Sequence, residues 1–177
     1  MSGLQQQVRL AYLIMSTLFL LALAACGPDP ALVHAQSYLT EVQPLLAENA
    51  ELARAFRDMA AEIKRREATA EGVGADLSSR LLPAARLLEQ KAGAIDPGTS
   101  ELEAAHRQLI NAWSTRRESY EAVLASWRAE DLDAFETALE QRMDGRNMEA
   151  RHFAAVQAIF EPLGLTLVAY PKASTTP

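Results

Sequence analysis

ALVHAQSYLTEVQPLLAENAELARAFRDMAAEI, residues 31–63, decides the fold. Leu32, Ala35, Leu39, Val42, Leu46, Asn49, Ala53, Phe56, Ala60 and Ile63 follow one another at intervals of three and four, and Tyr38, Leu45, Leu52 and Met59 widen the stripe beside them. That period is an α-helix with one apolar face. A face so broad is covered by several helices rather than by a single coiled-coil partner. Asn49, on the stripe, is expected to be a core amide that sets register or finds its own partner. Pro44 has no backbone N–H, so the helix is expected either to kink there or to open its main part there.

The rest of the chain repeats the pattern. After Gly72 and Gly74, a second helix is expected from Ala75 to Ala92, with Leu77, Leu81, Ala84, Leu88 and Ile95 inward and a bend at Pro83. IDPGTS ends it, and Ser100 with Glu103 has the spacing of a capping box for a third helix, which buries Leu102, Leu109, Trp113, Tyr120, Leu124 and Trp127. Asp131 is placed as the N-cap of a fourth, carrying Leu132, Phe135, Leu139, Met143, Phe153, Val156 and Phe160. DGRN, from Asp144 to Asn147, is a turn signal inside that helix and predicts a distortion; Gly164, after Pro162, is its expected C-cap. Short links between amphipathic helices predict an all-α fold, an antiparallel up-and-down bundle of four helices over residues 31–162. LTLVAY then lies extended along it, and PKASTTP is read as a disordered end.

Composition agrees with this reading. The chain has 177 residues, enough for one domain with a real core, and its aromatic share is only 6%, the balance of helical bundles rather than of β-sandwiches. The net charge is −6 from 17 basic and 23 acidic side chains. No nucleic-acid partner is expected, because neutralising phosphodiester backbones takes a large basic face.

The N-terminus carries the parts of an export signal in order: a polar start with Arg9, the apolar run LAYLIMSTLFLLALAA over residues 10–25, and small residues before Cys26. As a helix the run covers roughly 24 Å, short of the ~30 Å hydrocarbon core, so it is marginal as a permanent span. Cys26 is the chain's single cysteine and has no partner for an intramolecular disulfide. Leu23, Ala24, Ala25 and Cys26 read LAAC, which resembles the lipobox of bacterial lipoproteins. The resemblance covers the first 26 residues. It implies a signal peptide over 1–25, cleavage before Cys26, and lipidation of Cys26 with palmitate-type acyl chains, two or three of which make a stable anchor. Loss of residues 1–25 removes only Arg9, leaving 16 basic and 23 acidic side chains, a mature charge of −7. Gly27, Pro28, Asp29 and Pro30 complete a lipidated N-terminus and short stiff tether, residues 26–30. Gly27 is not the aspartate that retains lipoproteins at the inner membrane, so the periplasmic face of the outer membrane is expected where the cell has one.

Known catalytic patterns are missing: the sequence holds no Gly-rich phosphate loop, no GxSxG elbow, no CxxCH and no zinc-type Cys pair. Carboxylates fall among arginines, as in EIKRREATAE and STRRESYEA, and read as solvated, ion-paired faces. No enzymatic activity and no cofactor are expected, and the favoured role is structural or accessory contact with an unidentified envelope protein. Trp113, Tyr120 and Trp127 are candidate interface anchors, though their helical spacing favours core packing.

One constellation supports an alternative. Glu103 with His106 and Glu149 with His152 are both Glu-x-x-His pairs, the spacing by which ferritin-like bundles present metal ligands. Counted from a turn near residues 129 and 130, residue 106 lies opposite about 153. Glu89 and either Glu48 or Glu51 fall near the same level. Ferritin-like bundles put these pairs on alternate helices whereas here they fall on adjacent ones, so di-iron activity does not carry over. The alternative is a bundle that binds a divalent metal or small ligand through these four residues; against it, both histidines are simply surface or boundary residues capped by a local Glu.

Overall fold

The computed structural model describes residues 29–65 and 67–168. The apolar run, LAAC with Cys26, and residues 169–177 lie outside the described residues. What is described is an all-α bundle: α1 (Pro30–Arg65), α2 (Ala70–Asp76), a π-helical turn (Leu77–Leu81), α3 (Leu82–Gly93), α4 (Ser100–Ala129), α5 (Leu132–Phe160) and a closing 3₁₀ turn (Glu161–Leu163). No strand occurs among the described residues, and none of their helices is long and apolar enough to cross a membrane. The described part of the compact unit that begins at His34 runs to Val168.

α1 begins where Asp29 caps it, its carboxylate accepting from the Ala31 N–H at 2.9 Å. It runs unbroken through Pro44, so the helix does not open there. All four residues of the widening set, Tyr38, Leu45, Leu52 and Met59, are buried, as are Ala35, Val42, Leu46, Asn49 and Phe56.

The second helical arm differs from expectation at its start and around Pro83. Gly72 and Gly74 do not break it: Thr69 caps α2 by accepting from the Gly72 N–H at 3.1 Å, and the helix starts at Ala70. Pro83 is met by a change of helical type. An α-helix would drive the proline ring into the carbonyl one turn back; the turn before it widens instead, and the Leu82 N–H reaches the Leu77 carbonyl, five residues away. Ser78 and Ser79 donate from their hydroxyls to the preceding turn, to Gly74 O at 2.7 Å and Ala75 O at 2.6 Å.

α4 is capped by Thr99, whose side chain accepts from Leu102 N at 3.3 Å, so Ser100 is the first helical residue and the expected Ser100–Glu103 capping box does not form. Asp131 caps α5 as expected, accepting from Ala134 N at 3.0 Å. The link between α4 and α5 is only Glu130 and Asp131, with Glu130 in the left-handed region at φ 55°.

The expected distortion at DGRN is absent, because Gly145 serves packing instead of turning. α5 is continuous there, Gly145 is buried, and a Cβ at this position would sit 2.9 Å from the Ala112 carbonyl of α4. Gly145→Ala is therefore expected to lower stability by about 1–2 kcal/mol, overpacking outweighing the ~1 kcal/mol propensity gain of alanine. Urea unfolding midpoints check this, and a variant as stable as the wild type refutes the close approach.

Two residues expected inward on α5 face out, Leu132 at 75% exposure and Met143 at 45%. Gly164, at φ 69°, ends the closing turn. Leu165–Val168 has no regular structure and is held down by side chains. Gln43 of α1 donates to Val168 O at 2.8 Å and accepts from Val168 N at 3.1 Å, while Gln157 accepts from Leu167 N at 3.2 Å.

Candidate functional site

The bundle interior holds two polar layers between its apolar ones. In the first, α1, α3, α4 and α5 meet at two histidines. His106 donates from Nε2 to the Ala92 carbonyl at 3.0 Å, which leaves Nδ1 to accept from the Tyr38 hydroxyl, also at 3.0 Å. Both ring nitrogens are thereby engaged. His152 donates from Nδ1 to the Ala105 carbonyl at 3.0 Å, and its Nε2, fully buried, has no hydrogen-bond partner. Burial is the main reason that both histidines resist protonation: His106 is lowered from its ordinary value, and His152 is lowered from 6.5 to about 4. Burial likewise raises the Tyr38 hydroxyl, so it stays a donor at any physiological pH.

The second layer centres on a buried ion pair. Glu149 of α5 meets Arg116 of α4 at 2.6 Å, with side-chain exposures of 2% and 6%. Its other oxygen accepts from the Asn49 amide at 2.5 Å and from the Trp113 indole at 3.4 Å. Arg116 donates in turn to the Asn49 side-chain oxygen. Asn49 thus finds its own partners, the second of the two roles its position on the stripe suggested.

The structure brings His106, His152 and Glu149 into adjacent layers and leaves Glu103 outside them. Glu103 is 57% exposed and pairs with Arg107 along its own helix at 2.8 Å. The other carboxylates counted to that level are also taken up by cations or exposed: Glu48 meets Lys91 at 2.7 Å, Glu89 meets Arg117 at 2.6 Å, and Glu51 faces solvent. Among the described residues no three of His, Cys, Asp and Glu converge as metal ligands do, so the two Glu-x-x-His pairs do not assemble as a quartet in this conformation. Trp113 and Tyr120 are buried and Trp127 packs on Phe135 with ring centroids 5.8 Å apart, which makes them core residues rather than surface anchors.

Beside the second layer a cleft of about 340 Å³ opens between α1, α4 and α5, lined by Arg54, Arg57, Arg116, Arg142 and Arg146, with Met143 at its rim. Phe56 and Tyr120 stack at 4.6 Å, and the Arg142 guanidinium lies 4.6 Å over the Phe56 ring. Burial lowers the Arg142 pKa from its ordinary value, and the neighbouring charges of Arg116 and Arg146 push it the same way. None of these five arginines was singled out from the sequence, although Arg54 with Arg57 and Arg142 with Arg146 stand at same-face spacings. No protein-family model matches the chain, and neither does any of the curated proteins or solved structures compared with it.

Proposed function

We propose that this chain is a lipid-anchored protein of the bacterial cell envelope, on the periplasmic face of the outer membrane where the cell has one, whose helical bundle works by binding rather than by catalysis. The observation that carries the reading is the order at the N-terminus: Arg9, the apolar run, the small residues and the single cysteine of LAAC, then helix. Only Gly27, Pro28 and Asp29 separate Cys26 from Pro30, the first helical residue. The four steps from Cys26 to Pro30 span at most ~14 Å, so an acylated Cys26 would hold the start of α1 close to the membrane surface. The non-catalytic part of the reading is supported by the hydrogen bonds and the ion pair that commit Tyr38 to His106, and Asn49, Arg116 and Glu149 to one another.

Growth with an alkyne-bearing palmitate, followed by fractionation, tests the anchor. The wild type is expected to incorporate label and to begin at Cys26. Cys26→Ser is expected to lose label and membrane association while keeping its helical circular dichroism. An unlabelled wild type, or a variant with an unchanged membrane fraction, overturns the anchor in favour of a retained apolar span.

A further inference from the structure

Most of the described arginines outside the cleft are ion-paired, Arg128 and Arg151 excepted. Arg80, Arg86, Arg107 and Arg117 each pair with a carboxylate at 2.5–2.8 Å. Arg54, Arg57, Arg142 and Arg146 form no ion pair with any described carboxylate, and Arg116 is already matched by Glu149. Four unmatched guanidinium groups from two helices therefore face one cleft in a chain whose net charge is −6. Concentrating like charge in this way is unfavourable unless an anion offsets it. The folded chain alone creates the arrangement, since α1 supplies Arg54 and Arg57 while α5 supplies Arg142 and Arg146.

From this geometry we infer that the cleft is a binding site for a phosphate-bearing ligand, of the phosphomonoester or pyrophosphate class. A single carboxylate would offset one guanidinium and leave three, whereas a phosphomonoester brings close to two charges and three acceptor oxygens, and a pyrophosphate brings more. Guanidinium forks match phosphate oxygens in pairs. Arg142 is held in place for this by the Phe56 ring beneath it, and Phe56 by Tyr120. The cleft's volume falls at the small end of ligand pockets, and Ala50, Ala53 and Met143 give it an apolar wall for the organic part of an ester. The site stands independently of the lipid anchor, since nothing in it involves residues before Ala50.

The test is calorimetric titration of the full chain in neutral detergent, at low salt, with pyrophosphate, inorganic phosphate, citrate and the short-chain phosphomonoester lipid dihexanoyl-phosphatidic acid. Saturable binding of pyrophosphate or of the lipid, tighter than citrate, is expected. The two arms separate a soluble phosphate ligand from a lipid headgroup. Arg54→Gln with Arg146→Gln, both exposed and so compatible with folding, is expected to weaken binding at least tenfold, as loss of charge-assisted hydrogen bonds does. Arg128→Gln, outside the cleft, is expected to leave it unchanged. Absence of saturable binding by every phosphate probe, citrate binding as tightly, or an unaffected double variant with unaltered circular dichroism overturns the site.

Discussion

Arg116→Met is expected to destabilise the bundle by about 3–5 kcal/mol, the cost of leaving a buried carboxylate without its counter-ion. Glu149 is the residue stranded: its remaining partners would be the Asn49 amide and the Trp113 indole, neither of them charged. Total stabilities of single domains are about 5–15 kcal/mol, so the variant should stand close to its unfolding transition. Urea denaturation measures it, with the midpoint falling and the slope unchanged. The double variant Arg116→Met with Glu149→Met should recover much of the loss, because apolar groups of similar size replace a buried pair at little cost. A single variant as stable as the wild type, or a double variant whose loss is the sum of the singles, would show that the pair is not coupled through burial.

Acidification should act through His152. Its folded-state pKa, lowered from 6.5 to about 4, reflects burial first; the Ala105 carbonyl and Glu149 oppose the shift and His106 adds to it. Because the unfolded chain binds the proton more readily, stability rises with pH across this window. The contribution is complete above about pH 6.5 and is lost as pH falls towards 4. The full shift corresponds to about 3 kcal/mol, of which about 2 should disappear between roughly pH 7 and pH 5. His106 shifts in the same direction and steepens the fall. His152→Asn keeps a donor near the Ala105 carbonyl and cannot titrate, so its urea midpoint should vary far less over the same range. An equally steep dependence in that variant would falsify the assignment to His152.

The helices and the pairing of α4 with α5 were legible because both are properties of spacing. A two-residue link forces antiparallel neighbours, and counting outward from it sets residue 106 opposite about 153; His152 indeed reaches the carbonyl of Ala105. Arg116 was misread by its neighbourhood. STRRESYEA has the composition of a solvent face, yet Leu109, Trp113, Arg116 and Tyr120 follow at intervals of four, three and four, which puts Arg116 on the buried stripe while Arg117 turns outward to Glu89 and Glu121. Glu149 sits likewise between Gly145 and His152 on the inner line of α5. Charge type suggested surface and spacing suggested core, and spacing won because the two charges meet each other. Leu132 and Met143 show the reverse error, apolar residues on α5 that stay exposed. The cleft was out of reach of sequence reasoning because its arginines come from three helices whose mutual rotation no single segment specifies.

The wide turn at Leu77–Leu81 also has a bearing on how this arm tolerates change in length. Val73, Leu77, Leu81 and Ala85 are all buried and lie four residues apart, and on a uniform α-helix each such step would rotate the face by about 40°. Three steps would carry Val73 roughly a third of a revolution away from Ala85. The extra residue in the turn removes this phase error, so the two halves of the arm show the same side to the core. Deleting Ser78 or Ser79 would take the extra residue out and leave an ordinary helix, on which Val73 and Ala85 stand about 20° apart and still show the same side to the core. The wide turn thus lets this arm carry one residue more without turning its buried face away from the core.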